Sequence, residues 1–358
     1  MRAPRRRRQR AAQGLPRRAD AAAGAGPAVT ARHRLCVAPM MDWTDRHCRY
    51  FLRLVSPRAF LYTEMIPTGA LLHGDAERHL AFSPEEHPVG AQLGGSEPDE
   101  LARCARLVEA CGYDEVNLNL GCPSERVQRG AFGACLMAEP RRVADCVQAM
   151  REAVRIPVSV KHRLGIGTVE DYGFVRDFVG ALAEAGVRTF VVHARNAILE
   201  GLTPKENREI PRLRYEEVYR LKREFPHLEI VLNGGVASRA AIEAHLAHVD
   251  GVMLGRAAYH DPWLLAGGER TRAEVVRAMH RYAARMVRRG TALRHIARHM
   301  LGLYHGHPRA RRWRRILSDS ARLSQNDPDL LLQALQAVEC ADEEVFHERR
   351  AEPAEIRP

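Results

Sequence analysis

The chain has 358 residues, of which 46% are hydrophobic and 28% charged, with a formal net charge of +11. That length allows one large domain and a smaller one. No run of about 18 uninterrupted apolar residues occurs, so a membrane span is not expected, and the absence of an apolar stretch near the N-terminus argues against secretion. Eight cysteines are scattered without a Cys-x-x-Cys pair, which suggests neither a zinc ribbon nor a disulfide framework and fits a reducing, cytoplasmic setting.

The positive charge is unevenly placed. Residues 1–32 carry nine Arg and one Asp, and residues 265–325 carry fifteen Arg against Glu269, Glu274 and Asp319. Residues 326–358 are acidic, which leaves residues 33–264 close to neutral. A near-neutral body with a basic appendage suggests a polyanionic partner, nucleic acid first. The plainer alternative is a solvated, Arg-rich helical face.

In chain order, residues 1–32 are low-complexity Arg, Ala, Gly and Pro and are read as a disordered arm. From Leu35 onward, short β-like runs alternate with helical stretches. The runs are Leu35–Ala38, Ala59–Thr63, Val89–Gln92, Glu115–Leu120, Val158–Lys161, Thr189–His193, Ile230–Leu232 and Gly251–Leu254. Between them lie amphipathic segments such as Pro98–Cys111, Arg141–Val154, Tyr172–Ala185, Tyr215–Phe225 and Arg239–His248. Eight βα units predict an α/β fold, a (β/α)8 TIM barrel over residues 33–264. After Pro262 the pattern is helical: Arg272–Arg289, Leu293–Tyr304, Ala310–Leu323 and Asp329–Val338. These predict a small helical bundle over residues 265–341 and a frayed tail over 342–358.

Strand interiors are apolar, whereas strand exits carry Met40 and Met41, Glu64, Gln92, Asn119 with Cys122, Lys161, His193, Asn233, and Gly255-Arg256. A barrel builds its active site at that mouth. Asn117 and Asn119 have the opposite parity to Val116, Leu118 and Leu120, so they should face the cleft. Asn233-Gly-Gly and Gly255-Arg256 follow the seventh and eighth strands, where barrels often hold a cofactor phosphate on backbone N–H groups. Two left-handed turns would be the structural alternative. A Met at the first exit, with Gln92, Lys161 and His193 converging, suits an isoalloxazine ring; singly, Lys161 would be a barrel-mouth salt bridge and His193 a core histidine. An ordinary thiol is protonated at neutral pH, so Cys122 suits a general acid, with Cys135 the competing thiol. His295 and His299 have chelating spacing but no accompanying carboxylate, so no metal is expected.

Val37-Ala-Pro-Met-Met-Asp-Trp-Thr-Asp-Arg-His-Cys-Arg, Asn117-Leu-Asn-Leu-Gly-Cys-Pro-Ser, Gly130-Ala-Phe-Gly-Ala-Cys-Leu-Met, Val160-Lys-His-Arg-Leu-Gly, His193-Ala-Arg, Gly201-Leu-Thr-Pro-Lys-Glu-Asn-Arg-Glu-Ile-Pro and Leu232-Asn-Gly-Gly-Val together resemble the tRNA-dihydrouridine synthases, A-type subfamily. The resemblance covers about residues 33–325. It implies an FMN-dependent barrel with a helical tRNA-binding domain, reducing D-loop uridines at positions 20 and 20a with NADPH. It assigns FMN to Pro39, Met40, Met41, Gln92, Lys161, His193, Asn233, Gly234, Gly235, Gly255 and Arg256. It gives Cys122 the proton for uridine C5 while the reduced flavin gives hydride to C6. Asn119 would face the uracil edge, and Lys205, Arg208, Arg311 and Arg314 would hold tRNA phosphates. His305-Gly-His-Pro-Arg and Arg311-Arg-Trp-Arg-Arg are more basic than the family pattern.

Two other classes compete. A flavin-dependent oxidoreductase of small pyrimidines would explain the barrel and Cys122 but not the basic helices. A non-catalytic RNA-binding protein would explain the charge but not the intact strand exits. No apolar interaction stripe stands out, so a monomer is expected.

Overall fold

The computed structural model describes residues 32–348, with side chains as far as Glu339. All but the last residue of the expected N-terminal arm lies outside the described residues. Eight parallel strands form the centre: β1 (Leu35–Val37), β2 (Leu61–Pro67), β3 (Val89–Gly94), β4 (Glu115–Leu120), β5 (Val158–Arg163), β6 (Thr189–His193), β7 (Glu229–Asn233) and β8 (Gly251–Leu254). They pair in the order β1-β8-β7-β6-β5-β4-β3-β2, and a parallel bridge between Cys36 and Phe60 closes the ring into a (β/α)8 barrel. The second strand runs later than the alternation predicts. Phe60 is drawn into the β1 seam by exchanging backbone bonds with Leu35 and Val37, and a bulge between Tyr62 and Met65 then resets the register.

Helices α1 (Arg46–Val55), α2 (Pro98–Ala110), α3 (Pro140–Ala153), α4 (Tyr172–Glu184), α5 (Tyr215–Glu224) and α6 (Arg239–Leu246) cover the outside. Their starts follow local chemistry: Asp45, Asp171 and Ser238 accept backbone N–H bonds at the caps of α1, α4 and α6, and proline opens α2 and α3. After β2 and β8 only short helices form, including Arg256–His260.

Beyond the barrel lie α7 (Arg272–Arg288), α8 (Ala310–Leu317) and α9 (Leu330–Glu348), the last reaching into the segment expected to fray. Two predicted helices are broken. Leu293–Tyr304 is helical only to Ala297 and tightens into a 3₁₀ turn where Arg298 and His299 reach Asp45. Ala310–Leu323 divides because Asp319 caps a new helix at Ser320, accepting from the Ala321 and Arg322 amides.

The barrel interior has two characters. Cys36, Ala38, Phe60, Tyr62, Val191, Val231 and Met253 fill one side with apolar groups. The other side is polar and layered from floor to mouth, beginning with His33, which bonds Glu115 at 2.7 Å and Glu229 at 2.8 Å. Among the described residues no helix is long and apolar enough to cross a membrane.

The helical segment packs on the α1 side of the barrel. Tyr50 stacks on Tyr282, while Asp45 holds Arg298 and His299.

Candidate active site

From the floor upward, a chain of side-chain hydrogen bonds runs along β3, β4 and β5. Ser159 Oγ donates to Glu115 and accepts from Asn117 Nδ2 at 2.8 Å. Gln92 Nε2 donates to Asn117 Oδ1 at 2.7 Å, and Gln92 Oε1 accepts from Asn119 Nδ2 at 2.8 Å. Asn119 Oδ1 then accepts the Gly121 and Cys122 amides at 3.2 and 3.0 Å. The inward parity expected of Asn117 and Asn119 is therefore observed. Asn119, one residue before the strand's end, sets the loop that carries Cys122.

That loop is held from three more directions. The Cys122 carbonyl accepts the Ala134 amide at 3.0 Å. Gly133 sits there at φ +80°, where a Cβ would come within 2.7 Å of the Cys122 oxygen, so glycine is required. Buried Arg163 donates from Nε to the Gly121 carbonyl at 2.8 Å and from Nη1 to the Asn196 and Asn207 carbonyls. Gln128 Nε2 donates to the carbonyls of Pro123 and Leu199, each at 2.8 Å. The Cys122 thiol is partly exposed and contacts Ser124 Oγ at 3.4 Å. Cys135 instead donates to the Phe132 carbonyl, and burial pushes its pKa up.

Lys161 and His193 share this mouth. Lys161 Nζ donates to Asn233 Oδ1 at 3.0 Å, and Asn233 in turn donates to the Met253 carbonyl. Burial, with repulsion from Arg163, lowers the Lys161 pKa to about 7 against a weaker pull from Cys122. His193 is held neutral, its pKa driven well below 6.5 by burial and then by the cations Arg163, Lys161, Arg195 and Arg208. Its Nδ1 is buried without a hydrogen-bond partner among the described residues. An unmet buried ring nitrogen beside a patch of cations is what an absent anionic cofactor would leave.

The glycine-rich exits have the matching shape. Gly234 and Gly235 have φ of +114° and +71°, and a Cβ on Gly235 would meet Leu213 at 2.6 Å and the Tyr215 hydroxyl at 2.7 Å. Tyr215 donates to the Gly234 carbonyl at 2.9 Å, tying that loop to α5. Gly255 precedes the short helix Arg256–His260, and Arg256 forms an exposed ion pair with Glu209. The loop after β1 supplies Pro39, half-buried Met40 against the apolar interior, and exposed Met41. These residues fit a flavin with a terminal phosphate: an apolar edge, a lysine, an orphaned imidazole and a glycine cradle.

The four expected phosphate contacts lie on two elements. Lys205 precedes the 3₁₀ turn Glu206–Arg208, which puts it and Arg208 on one face at the mouth. Arg311 and Arg314 project from α8 opposite the buried Trp313, and neither side chain has a partner among the described residues. His299 is engaged by Asp45 and Tyr259, so it does not pair with His295 for chelation.

Arg163, Asn207, Gln128 and Arg195 were not singled out by sequence reasoning, although three of them stand inside the motifs quoted above. Their roles depend on which carbonyls the fold brings near. Asn207 Nδ2, for example, reaches the Ile198 carbonyl at 2.8 Å.

The dihydrouridine synthase (Dus) family model matches residues 36–342. The tRNA-dihydrouridine(20/20a) synthase of Escherichia coli strain K12 is 55% identical over 316 residues, covering 85% of this chain and 91% of that protein. Proteins of the same name from Pseudomonas syringae pv. tomato and Synechocystis sp. are each 55% identical, covering 86% and 85% of this chain and 94% of either relative.

Proposed function

Because the chain belongs to the dihydrouridine synthase family, we propose that it reduces uridine to 5,6-dihydrouridine at positions 20 and 20a of the tRNA D-loop, with FMN as cofactor and NADPH as reductant. The observation that carries the reading is Cys122, whose backbone amide donates to the Asn119 carboxamide, at the mouth that also holds Lys161, Asn233 and the orphaned His193 nitrogen.

FMN would be held by the Met40–Met41 loop, Gln92, Lys161, His193, the Asn233-Gly-Gly turn and Gly255-Arg256; when bound it carries electrons from NADPH to uridine C6 as hydride. Cys122 supplies the matching proton to C5 from Sγ, so the C5–C6 double bond becomes saturated and the thiol becomes a thiolate. Lys161, Arg163 and Arg208 surround that sulfur with positive charge until solvent returns the proton. Asn119 bonds the Gly121 and Cys122 amides and so fixes the backbone that carries the thiol. The target base has to leave its stack to enter the mouth. Lys205 and Arg208 at the rim, with Arg311 and Arg314 on α8, then hold flanking phosphates.

A small-molecule pyrimidine reductase would share the mouth but has no use for the fifteen arginines of residues 265–325. The test is one spectroscopic titration of the purified protein. Flavin absorbance should bleach with NADPH and return on adding unmodified tRNA, with dihydrouridine detected in the RNA. A colourless protein, or a reduced flavin reoxidised equally by free uridine, would reject the proposal.

A further inference from the structure

At the seam between barrel and helical segment, α1, the loop preceding β3 and the C-terminal end of α7 enclose a cavity of about 250 Å³. Arg46, Arg285 and Arg289 line it, facing Ser83 and Glu85. Arg46 reaches Ser83 Oγ at 3.4 Å and the Tyr282 hydroxyl, and its Nε is buried without a hydrogen-bond partner among the described residues. Arg285 touches the Tyr50 hydroxyl at 3.3 Å and lies 3.8 Å from Glu85, a loose pair between groups about half exposed. The Arg289 side chain has no partner among the described residues. Three cations therefore face one carboxylate, and a buried donor is left over. Such a set of donors is complemented by an acceptor-rich anion.

We propose that this cavity binds a backbone phosphate of the RNA substrate. A phosphodiester is anionic, offers only acceptors and matches the guanidinium fork. The position suits it as well. Arg46 follows Asp45, which ends the mouth loop after β1 and holds Arg298 and His299 of the helical segment. The cavity thus adjoins the contact that ties the mouth loop to the helical segment. The inference rests on the tRNA reading above and adds to it a contact on neither the rim nor α8.

The test uses the FMN-loaded full chain and an unmodified tRNA transcript, with affinity measured against salt. Arg289→Gln is expected to weaken tRNA binding and to make the log Kd against log salt slope shallower by about one. FMN content, kcat at saturating tRNA and the KM for NADPH should stay unchanged. Glu85→Gln removes the competing carboxylate and should tighten tRNA binding, a gain that misfolding does not produce. Arg223→Gln on α5 controls for the loss of one exposed charge elsewhere and should leave the slope alone. Wild-type affinity and slope in Arg289→Gln, with Arg311→Gln/Arg314→Gln still weakened, would overturn the cavity while keeping the tRNA reading. A raised KM for NADPH with unchanged tRNA binding would also overturn it, by giving the phosphate to the dinucleotide. A wild-type protein that binds no tRNA would reject the function reading itself.

Discussion

Cys122 is placed by bonds to its backbone amide and carbonyl, not by a partner base, which separates orientation from chemistry. Cys122→Ala should retain FMN and its reduction by NADPH, while dihydrouridine formation falls by about 10²–10⁴; stopped-flow measurement of the two half-reactions distinguishes them. Loss of FMN in that variant would make Cys122 structural. Lys161 is a different case, because its pKa near 7 makes its charge depend on pH. The charged form is the one that would stabilise a reduced flavin, so flavin reduction should slow as pH rises through about 7. Lys161→Met should be slower and flat across the same range. Arg163 carries no proposed chemistry, yet it satisfies three carbonyls from separate loops. Arg163→Ala should cost about 3 kcal/mol in thermal or denaturant unfolding, since each stranded buried acceptor costs ~1–3 kcal/mol.

Among the elements, α1 shows how one cap can join two parts of the chain. Asp45 Oδ1 accepts the His47 and Cys48 amides, while Oδ2 receives Arg298 and His299. Burial raises the Asp45 pKa, but the His299 and Arg298 bonds and the amides outweigh it and hold the carboxyl well below the usual range. The resulting stability is present above the unfolded carboxylate pKa of about 3.9 and is lost as pH falls below it. Asp45→Ala should lose the cap, about 1 kcal/mol, together with the ion pairs. Asp45→Asn should keep most of the cap and lose only the pairing, a difference that acid unfolding of the two variants would resolve.

For the whole molecule, the floor of the barrel carries a pH-dependent clamp. Burial alone would lower the His33 pKa, but bonds and charges from Glu115 and Glu229 raise it to about 9. A raised histidine stabilises fully below its unfolded pKa of about 6.5, and that contribution disappears as pH rises through about 9. Glu229 has the opposite sign, its pKa lowered chiefly by His33 against burial, so its share is present above the ordinary carboxylate range. Melting temperature should therefore fall between pH ~6.5 and ~9, and His33→Gln should flatten that slope. A wild-type melting curve independent of pH over this range would count against the clamp.

The chain alone determined the eight βα units, because strand interiors are apolar runs, exits are polar and amphipathic segments lie between them. It determined the basic character of residues 265–325 and the position of Cys122 just after a strand ending in Leu120, all of them local in sequence. Tertiary structure decided what local pattern does not encode. Ring closure pulled Phe60 into the β1 seam and displaced the second strand. Asp45 drew His299 out of an expected regular helix, through an ion pair whose partners are 254 residues apart. Arg163 reads as one more arginine until the barrel closes and three loop carbonyls converge on it, because a buried guanidinium takes its role from acceptors that only the fold assembles.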